Sequence, residues 1–241
     1  MRPRIPFAVK TGIGSLPHRE VAAALRFSFA HGLPFLPELL GLGEGILSSG
    51  DRACWPGFLE GIVGRAFAKV QCVGPVTSGE DMTARAVALV RAVRQAGPTP
   101  VFFFDEPALR GPLDGLTAAV SAVQAEGAVV GVHCCGQADW AALMRTGVDV
   151  LSFDVRLSLD AVVEAGVLEF LGRGGTLALG VIPTDPGARY EVAELVDAVQ
   201  VTLGRVDSLI LSPACGLGLK TEAEADRILG QLQEAQRRLL S

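Results

Sequence analysis

Long apolar runs are missing from this 241-residue chain. Almost half of its residues are hydrophobic, yet no uninterrupted stretch reaches the roughly 18 residues that a membrane-crossing helix needs. Concentrated positive charge is missing too. Lys and Arg number 21 against 26 Asp and Glu, for a formal net charge of −5, and they form no stripe. Nucleic acid, which demands clustered phosphate-neutralising charge, is therefore excluded as an expected partner. The opening residues carry Arg2 and Arg4 but no apolar segment followed by a small-residue cleavage site, so no secretory signal is expected. Together these absences predict a soluble, cytoplasmic protein with no membrane partner. Cysteine is scarce and odd in number, at five, and Cys134 adjoins Cys135, which argues against a disulfide framework in a chain large enough to build its own core. Metal binding, catalysis or plain burial remain as uses for the thiols.

What is present is a regular alternation. Eight short apolar runs occur at 10–15, 33–36, 66–73, 100–104, 128–133, 148–153, 176–182 and 208–212, most of them followed by a turn and a stretch of helical period. Runs such as VFFF, AVVGV and LALGVI are apolar on both faces, as a parallel sheet covered by helices requires. Between them, Met82, Ala86, Leu89, Val90 and Val93 fall on one helical face, as do Val192, Leu195, Val196, Val199 and Leu203. The last helix opens with Thr221-Glu222-Ala223-Glu224, a capping-box pattern. No linker, composition break or solenoid repeat interrupts the series. The turn after the first strand, GIGSLP, lacks the GxGxxG pattern of an open dinucleotide-binding sheet. The expectation is an α/β fold, a (β/α)₈ TIM barrel forming a single domain over 1–241, with an irregular loop-plus-helix insertion at about 41–64.

In such a barrel the active site gathers at the C-terminal ends of the strands. The residues there are Ser15 and His18, Glu38, Thr77, Asp105 and Glu106, His133 to Cys135, Asp154, Asp185 and Cys215. His133, Cys134, Cys135, Asp154 and Cys215 form the sharpest group, because imidazole and thiolate are the ligands zinc prefers. Residues two apart on a strand share a side, so Cys135 rather than Cys134 pairs with His133. Ordinary burial is the competing reading, since free cysteine is among the most buried residue types. Asp105 and Glu106 are candidates to bind a substrate ammonium group or to move a proton, against a role in capping a helix. Ser15, in a tight Gly14-Ser15 turn, is a candidate to hold a carboxylate. His18 is a candidate general acid or base. Cys54, Cys72 and His31 read as packing residues.

Four segments in this order, Ile13-Gly14-Ser15, Asp105-Glu106-Pro107-Ala108-Leu109, His133-x-Cys135, and Ser212-Pro213-Ala214-Cys215-Gly216-Leu217 followed by Lys220-Thr221, resemble the catalytic barrel of cobalamin-independent methionine synthase. That family belongs to a superfamily that includes uroporphyrinogen decarboxylase. The resemblance implies a zinc ion held by His133, Cys135, Asp154 and Cys215, with Asp154 standing where the family has a glutamate. It also implies that Ser15 receives the carboxylate of homocysteine and Asp105 its ammonium group, and that the zinc-bound thiolate takes a methyl group to give methionine. The chain is shorter than the two-barrel enzymes of the family, which makes a corrinoid protein docked on the rim, rather than folate, the expected methyl donor. Rival expectations are methyl transfer to another thiol such as coenzyme M, a decarboxylase-like enzyme whose propionate-gripping arginines Arg2, Arg4 and Arg19 do not supply, and a non-catalytic barrel that binds a metal or a corrinoid.

Overall fold

The structure, a computed structural model, describes residues 4–45, 52–107, 109, 111–185, 187–188, 190–204 and 206–241. Arg2, Ala108 and residues 46–51 of the expected insertion lie outside the described residues. The strands are β1 (Val9–Lys10), β2 (Ser15–Leu16), β3 (Glu38–Leu39), β4 (Phe67–Val73), β5 (Thr99–Asp105), β6 (Val129–Cys134), β7 (Val150–Asp154), β8 (Thr176–Ile182) and β9 (Leu209–Pro213). The helices are α1 (Val21–Phe29), α2 (Trp55–Gly61), α3 (Pro75–Ser78), α4 (Thr83–Gln95), α5 (Asp114–Ala125), α6 (Trp140–Arg145), α7 (Val155–Glu164), α8 (Val167–Gly172), α9 (Val192–Leu203) and α10 (Glu222–Leu240).

Seven strands form one parallel sheet in the order β1-β9-β8-β7-β6-β5-β4. Its two edges are joined by the segment around Phe35. Leu33 N donates to Lys10 O at 3.0 Å on one side, while Lys69 N donates to Pro34 O at 2.7 Å and Leu36 N to Lys69 O at 2.9 Å on the other. Further along, Glu38 N donates to Gly14 O at 3.0 Å and β2 pairs with β3. The sheet is thereby a closed barrel of eight strand segments with helices outside. The first two segments differ from the expected 10–15 and 33–36 in that each is broken into short pieces. In the second, Pro34 and Pro37 have no N–H to donate, so a continuous ladder cannot form.

Side chains alternate between two apolar layers along every strand. One face packs under the helices: Phe102 and Phe104, Val130 and Val132, and Leu151 and Phe153 belong to the large core between sheet and helices. The other face fills the barrel. Val9, Leu33, Val101, Phe103, Val129, Val150, Ala178 and Ile210 form a second, smaller core. Gly131 leaves the space that Phe103 occupies, since a Cβ there would lie 2.6 Å from its ring. Above this plug the inward series turns polar, through Lys69, Gln71, Asp105, His133, Ser152 and Ser212, all buried.

The helices follow the patterns read from the sequence. In α4 the buried residues are Ala86, Val90 and Val93, spaced to form one stripe. Thr221 and Glu224 form the expected capping box at the start of α10. The described part of the insertion contains a short 3₁₀ turn at Leu40–Leu42 and helix α2. Among the described residues no helix is long and apolar enough to cross a membrane.

Candidate metal centre in the barrel mouth

His133 is carried inward near the end of β6, level with Asp105 on β5 and Ser152 on β7. Its Nδ1 lies 2.9 Å from Ser152 Oγ, which orients the ring. Its Nε2 is buried and has no hydrogen-bond partner among the described residues. Cys135 follows two residues later, and Cys215 comes from the loop after β9. One ligand atom from each of His133, Cys135 and Cys215 lies within 4.8 Å of the others. An orphaned imidazole nitrogen facing two sulfurs is the donor set that zinc takes up. The hydroxyl on the far ring nitrogen is the kind of outer partner that fixes a ligating histidine.

The two thiols differ in acidity for a local reason. A hydrogen bond from Cys215 stabilises the thiolate of Cys135 and pulls its pKa down. The same bond, with burial, pushes Cys215 up to about 12 despite the nearby His133. Cys134, by contrast, points out of the barrel into the core beneath the helices, as the two-residue period requires.

The loop bearing Cys215 is tied back to the first strand segment. Leu217 N donates to Ser15 O at 2.8 Å and Gly218 N to Ser15 Oγ at 3.3 Å. Gly216 is required here, because a Cβ would overlap Ser15 Oγ. Ser15 is therefore brought next to the Cys215 loop, as expected of a residue at the site.

Asp105 is buried, and its Oδ1 has no partner among the described residues. Burial raises its pKa, against the opposing pull of Lys69 and His133; Glu38 and Cys215 raise it further. Lys69, buried inside the barrel, donates from Nζ to Ile13 O at 2.6 Å and to Gln71 Oε1 at 3.0 Å, and sits 5.0 Å from the Phe103 ring centre. Burial lowers its pKa while Asp105 and Glu38 raise it. Gln71 Nε2 donates to Glu38 Oε1 at 3.0 Å. Gly14 permits this close approach, since a Cβ would stand 2.6 Å from Gln71 Nε2.

Three expected site residues have other partners. Asp154 is not among the clustered ligand atoms. Its Oδ1 accepts from Arg156 N at 2.9 Å and caps α7, because the short aspartate side chain folds back onto the helix that begins immediately after it. Glu106 is fully buried, and its two oxygens accept from Val76 N at 2.9 Å and Thr77 N at 2.7 Å. It thus holds the first turn of α3 from the neighbouring strand end, the capping role having passed from Asp105 to Glu106 and to a different helix. Burial raises the Glu106 pKa, opposed by those hydrogen bonds. His18 is buried with its ring 5.3 Å from Phe27, in a series continued by His31 and Phe35. No described hydrogen bond or ion pair joins it to the His133 cluster.

Residues that the sequence reading passed over complete the mouth. Lys69 and Gln71 interrupt an otherwise apolar strand at a two-residue spacing, which was the signal that they face the barrel interior together. Arg52, also passed over, forms a buried ion pair at 2.8 Å with Glu38, which was expected at the rim. Two clefts, of about 730 and 740 Å³, lie at the opposite end of the barrel, around Val129, Thr176 and Ser208 and around Phe7, Leu203 and Leu239. They contain none of these residues.

No family model and no curated protein matches the chain. Among solved structures it is similar to the catalytic domain of a mannanase from Streptomyces sp. SirexAA-E, at 14% identity over 87% of this chain and 74% of that one, with a TM-score of 0.52. It also aligns with D-psicose 3-epimerase from Clostridium cellulolyticum H10 in complex with D-tagatose, at 11% identity over 78% of this chain and 92% of that one, with a TM-score of 0.39. The mannanase likeness supports the barrel fold alone; the chemistry has to be argued from the mouth itself.

Proposed function

We propose that this protein is an enzyme, a zinc-dependent methyltransferase that activates a small-molecule thiol, with homocysteine the best-fitting substrate and methionine the product. The observation that carries the reading is the convergence of His133, Cys135 and Cys215 around an imidazole nitrogen that has no other partner. Three protein ligands leave a tetrahedral ion one open position, the hallmark of a catalytic rather than a structural site. A zinc ion held there would favour the thiolate form of a substrate sulfur, which free in water is mostly protonated at neutral pH, with the thiol proton released to solvent.

The chain's own groups would place the rest of the substrate. Ser152 holds Nδ1 of His133 and so leaves Nε2 free to be one of the three ligands. Asp105 offers a buried, unpartnered oxygen to an ammonium group, and Ser15 holds the Cys215 loop and presents its hydroxyl at the edge of the mouth. Fixing both ends of the amino acid aligns the sulfur for attack. The sulfur's electron pair forms the new C–S bond, and the donor keeps the pair of the methyl bond that breaks. A methylated corrinoid protein is the proposed donor, and a reducing compartment such as the cytoplasm would keep the two cysteines available.

A second reading, methyl transfer to a thiol without an ammonium group such as coenzyme M, fits less well because Asp105 would remain buried without its partner. The test is metal content of the protein purified without added metal, beside Cys135→Ser and Cys215→Ser. About one zinc per chain, as one such cluster implies, lost in both variants, supports the reading and makes homocysteine binding the next assay. No zinc after reconstitution with excess metal refutes it.

A further inference from the structure

The chemistry just described leaves a buried guanidinium at the mouth without a task. Arg52 comes from the insertion between β3 and α2, and its side chain is only 6% exposed. Its Nη2 stands 2.8 Å from Glu38 Oε1, whose side chain is 5% exposed. The N–H directions do not meet that oxygen well, and both Nη1 and Nη2 lack a hydrogen-bond acceptor among the described residues. A guanidinium has five N–H donors in one plane, and leaving buried donors without acceptors is costly. Glu44, a described acid of the insertion, is already committed, because it accepts from Leu39 N at 2.8 Å and Ala53 N at 2.5 Å. Glu38 Oε1 in turn is shared with Gln71 Nε2. Among the described residues no acceptor is left for Arg52, a want that the carboxylate of a ligand would fill.

Charge balance narrows what that anion belongs to. Glu38 and Asp105 face Lys69 and Arg52, so the formal charges of the group cancel. Lys69 is occupied by Ile13 O and Gln71 Oε1, which leaves Arg52 as the cation with donors to give. Asp105 lies level with His133 on β6 and with Val73 on β4, the strand whose Gln71 holds Glu38, so the ion pair and the metal cluster belong to one mouth. A ligand that adds one negative charge would leave it uncompensated in a buried site. A zwitterionic head adds none: its carboxylate meets Arg52 while its ammonium faces Glu38 and Asp105.

We propose that Arg52 reads the carboxylate of an α-amino-acid thiol, and that the Arg52–Glu38 pair selects zwitterionic thiols over singly anionic ones. The inference rests on the thiol-binding reading of the His133, Cys135 and Cys215 cluster and adds a specificity residue to it. The experiment is calorimetric binding to the full, zinc-loaded chain of three thiols: L-homocysteine, its decarboxylated analogue homocysteamine, and mercaptoethanesulfonate. Each is measured with wild type, Arg52→Gln and Arg52→Lys, with zinc content and circular dichroism as controls.

Wild type should prefer homocysteine to homocysteamine by roughly 10- to 100-fold, the worth of a charge-assisted hydrogen bond, and should bind mercaptoethanesulfonate weakest. In Arg52→Gln the homocysteine affinity should fall by about that factor while homocysteamine is unchanged, so the preference collapses. Arg52→Lys should retain part of it, and carries the comparison if Arg52→Gln fails to fold or to hold zinc. Equal loss for homocysteine and homocysteamine, or no loss for either, overturns the role of Arg52 and leaves the thiol site standing. Failure of wild type to bind any of the three overturns the thiol reading and the inference with it.

Discussion

Replacing Glu106 by glutamine separates two roles for a carboxylate buried at the barrel mouth. The side chain is fully buried, and its two oxygens accept from Val76 N and Thr77 N at the start of α3. Gly74 stands so close that a Cβ would overlap Glu106 Oε1. Glutamine keeps the volume and one acceptor, but turns an NH₂ group toward the second N–H. Losing a charge-assisted hydrogen bond costs about 1.5–3 kcal/mol, and the stranded buried N–H costs about 1–3 kcal/mol more. Burial already raises the Glu106 pKa, so removing the charge offsets part of this. The net expectation is a loss of about 2–4 kcal/mol of stability. For a chain of this length that lowers Tm by roughly 4–16 °C. Urea unfolding followed by circular dichroism near neutral pH measures it, with an unchanged slope showing that the two-state comparison holds. A structural carboxylate predicts this loss with thiol affinity retained in the protein that remains folded. Stability within about 0.5 kcal/mol of wild type, together with lost thiol binding, would refute the capping assignment and return Glu106 to the substrate.

Two further perturbations test neighbouring claims. Asp154→Ala should cost about 1 kcal/mol through loss of the α7 cap and leave the zinc content of the purified protein unchanged; loss of the metal would reinstate Asp154 as a ligand. Burial between α1 and the sheet lowers the pKa of His31 from 6.5 to about 4. Because the folded-state value is depressed, the stability this group contributes is present above pH 6.5 and is lost as the pH falls through about 4, a change of about 3 kcal/mol. His31→Gln, which can still donate to Phe27 O, should flatten that part of the acid-stability profile in urea titrations. An identical profile for both proteins would show that His31 is not the group responsible.

Much of this protein could be read without coordinates because parallel barrels impose a strict order on the chain. Strands buried on both faces must be apolar and short, and helices must follow them, so the runs at 176–182 and 208–212 announced β8 and β9 almost residue for residue. The rule that chemistry sits at strand C-termini, with the two-residue period of a strand, was enough to choose Cys135 over Cys134 and to group it and His133 with Cys215 from far along the sequence. What sequence could not decide was where each polar side chain finds its hydrogen bonds. Asp154 and Glu106 were correctly placed at strand ends, but a carboxylate there can face the mouth or turn to an adjacent helix, and only the positions of α7 and α3 settle which N–H groups it meets. The long side chains of Lys69 and Arg52 show the same limit more strongly. Their Cα atoms lie on a strand interior and in an irregular insertion, while their charged ends reach partners on other strand segments, Ile13 for Lys69 and Glu38 for Arg52. Closure of the barrel through Leu33, Pro34 and Leu36 brings those partners together, because an eight-segment ring fixes which side of every strand faces inward. Composition and periodicity specify the alternation; the ring alone specifies which charges it encloses.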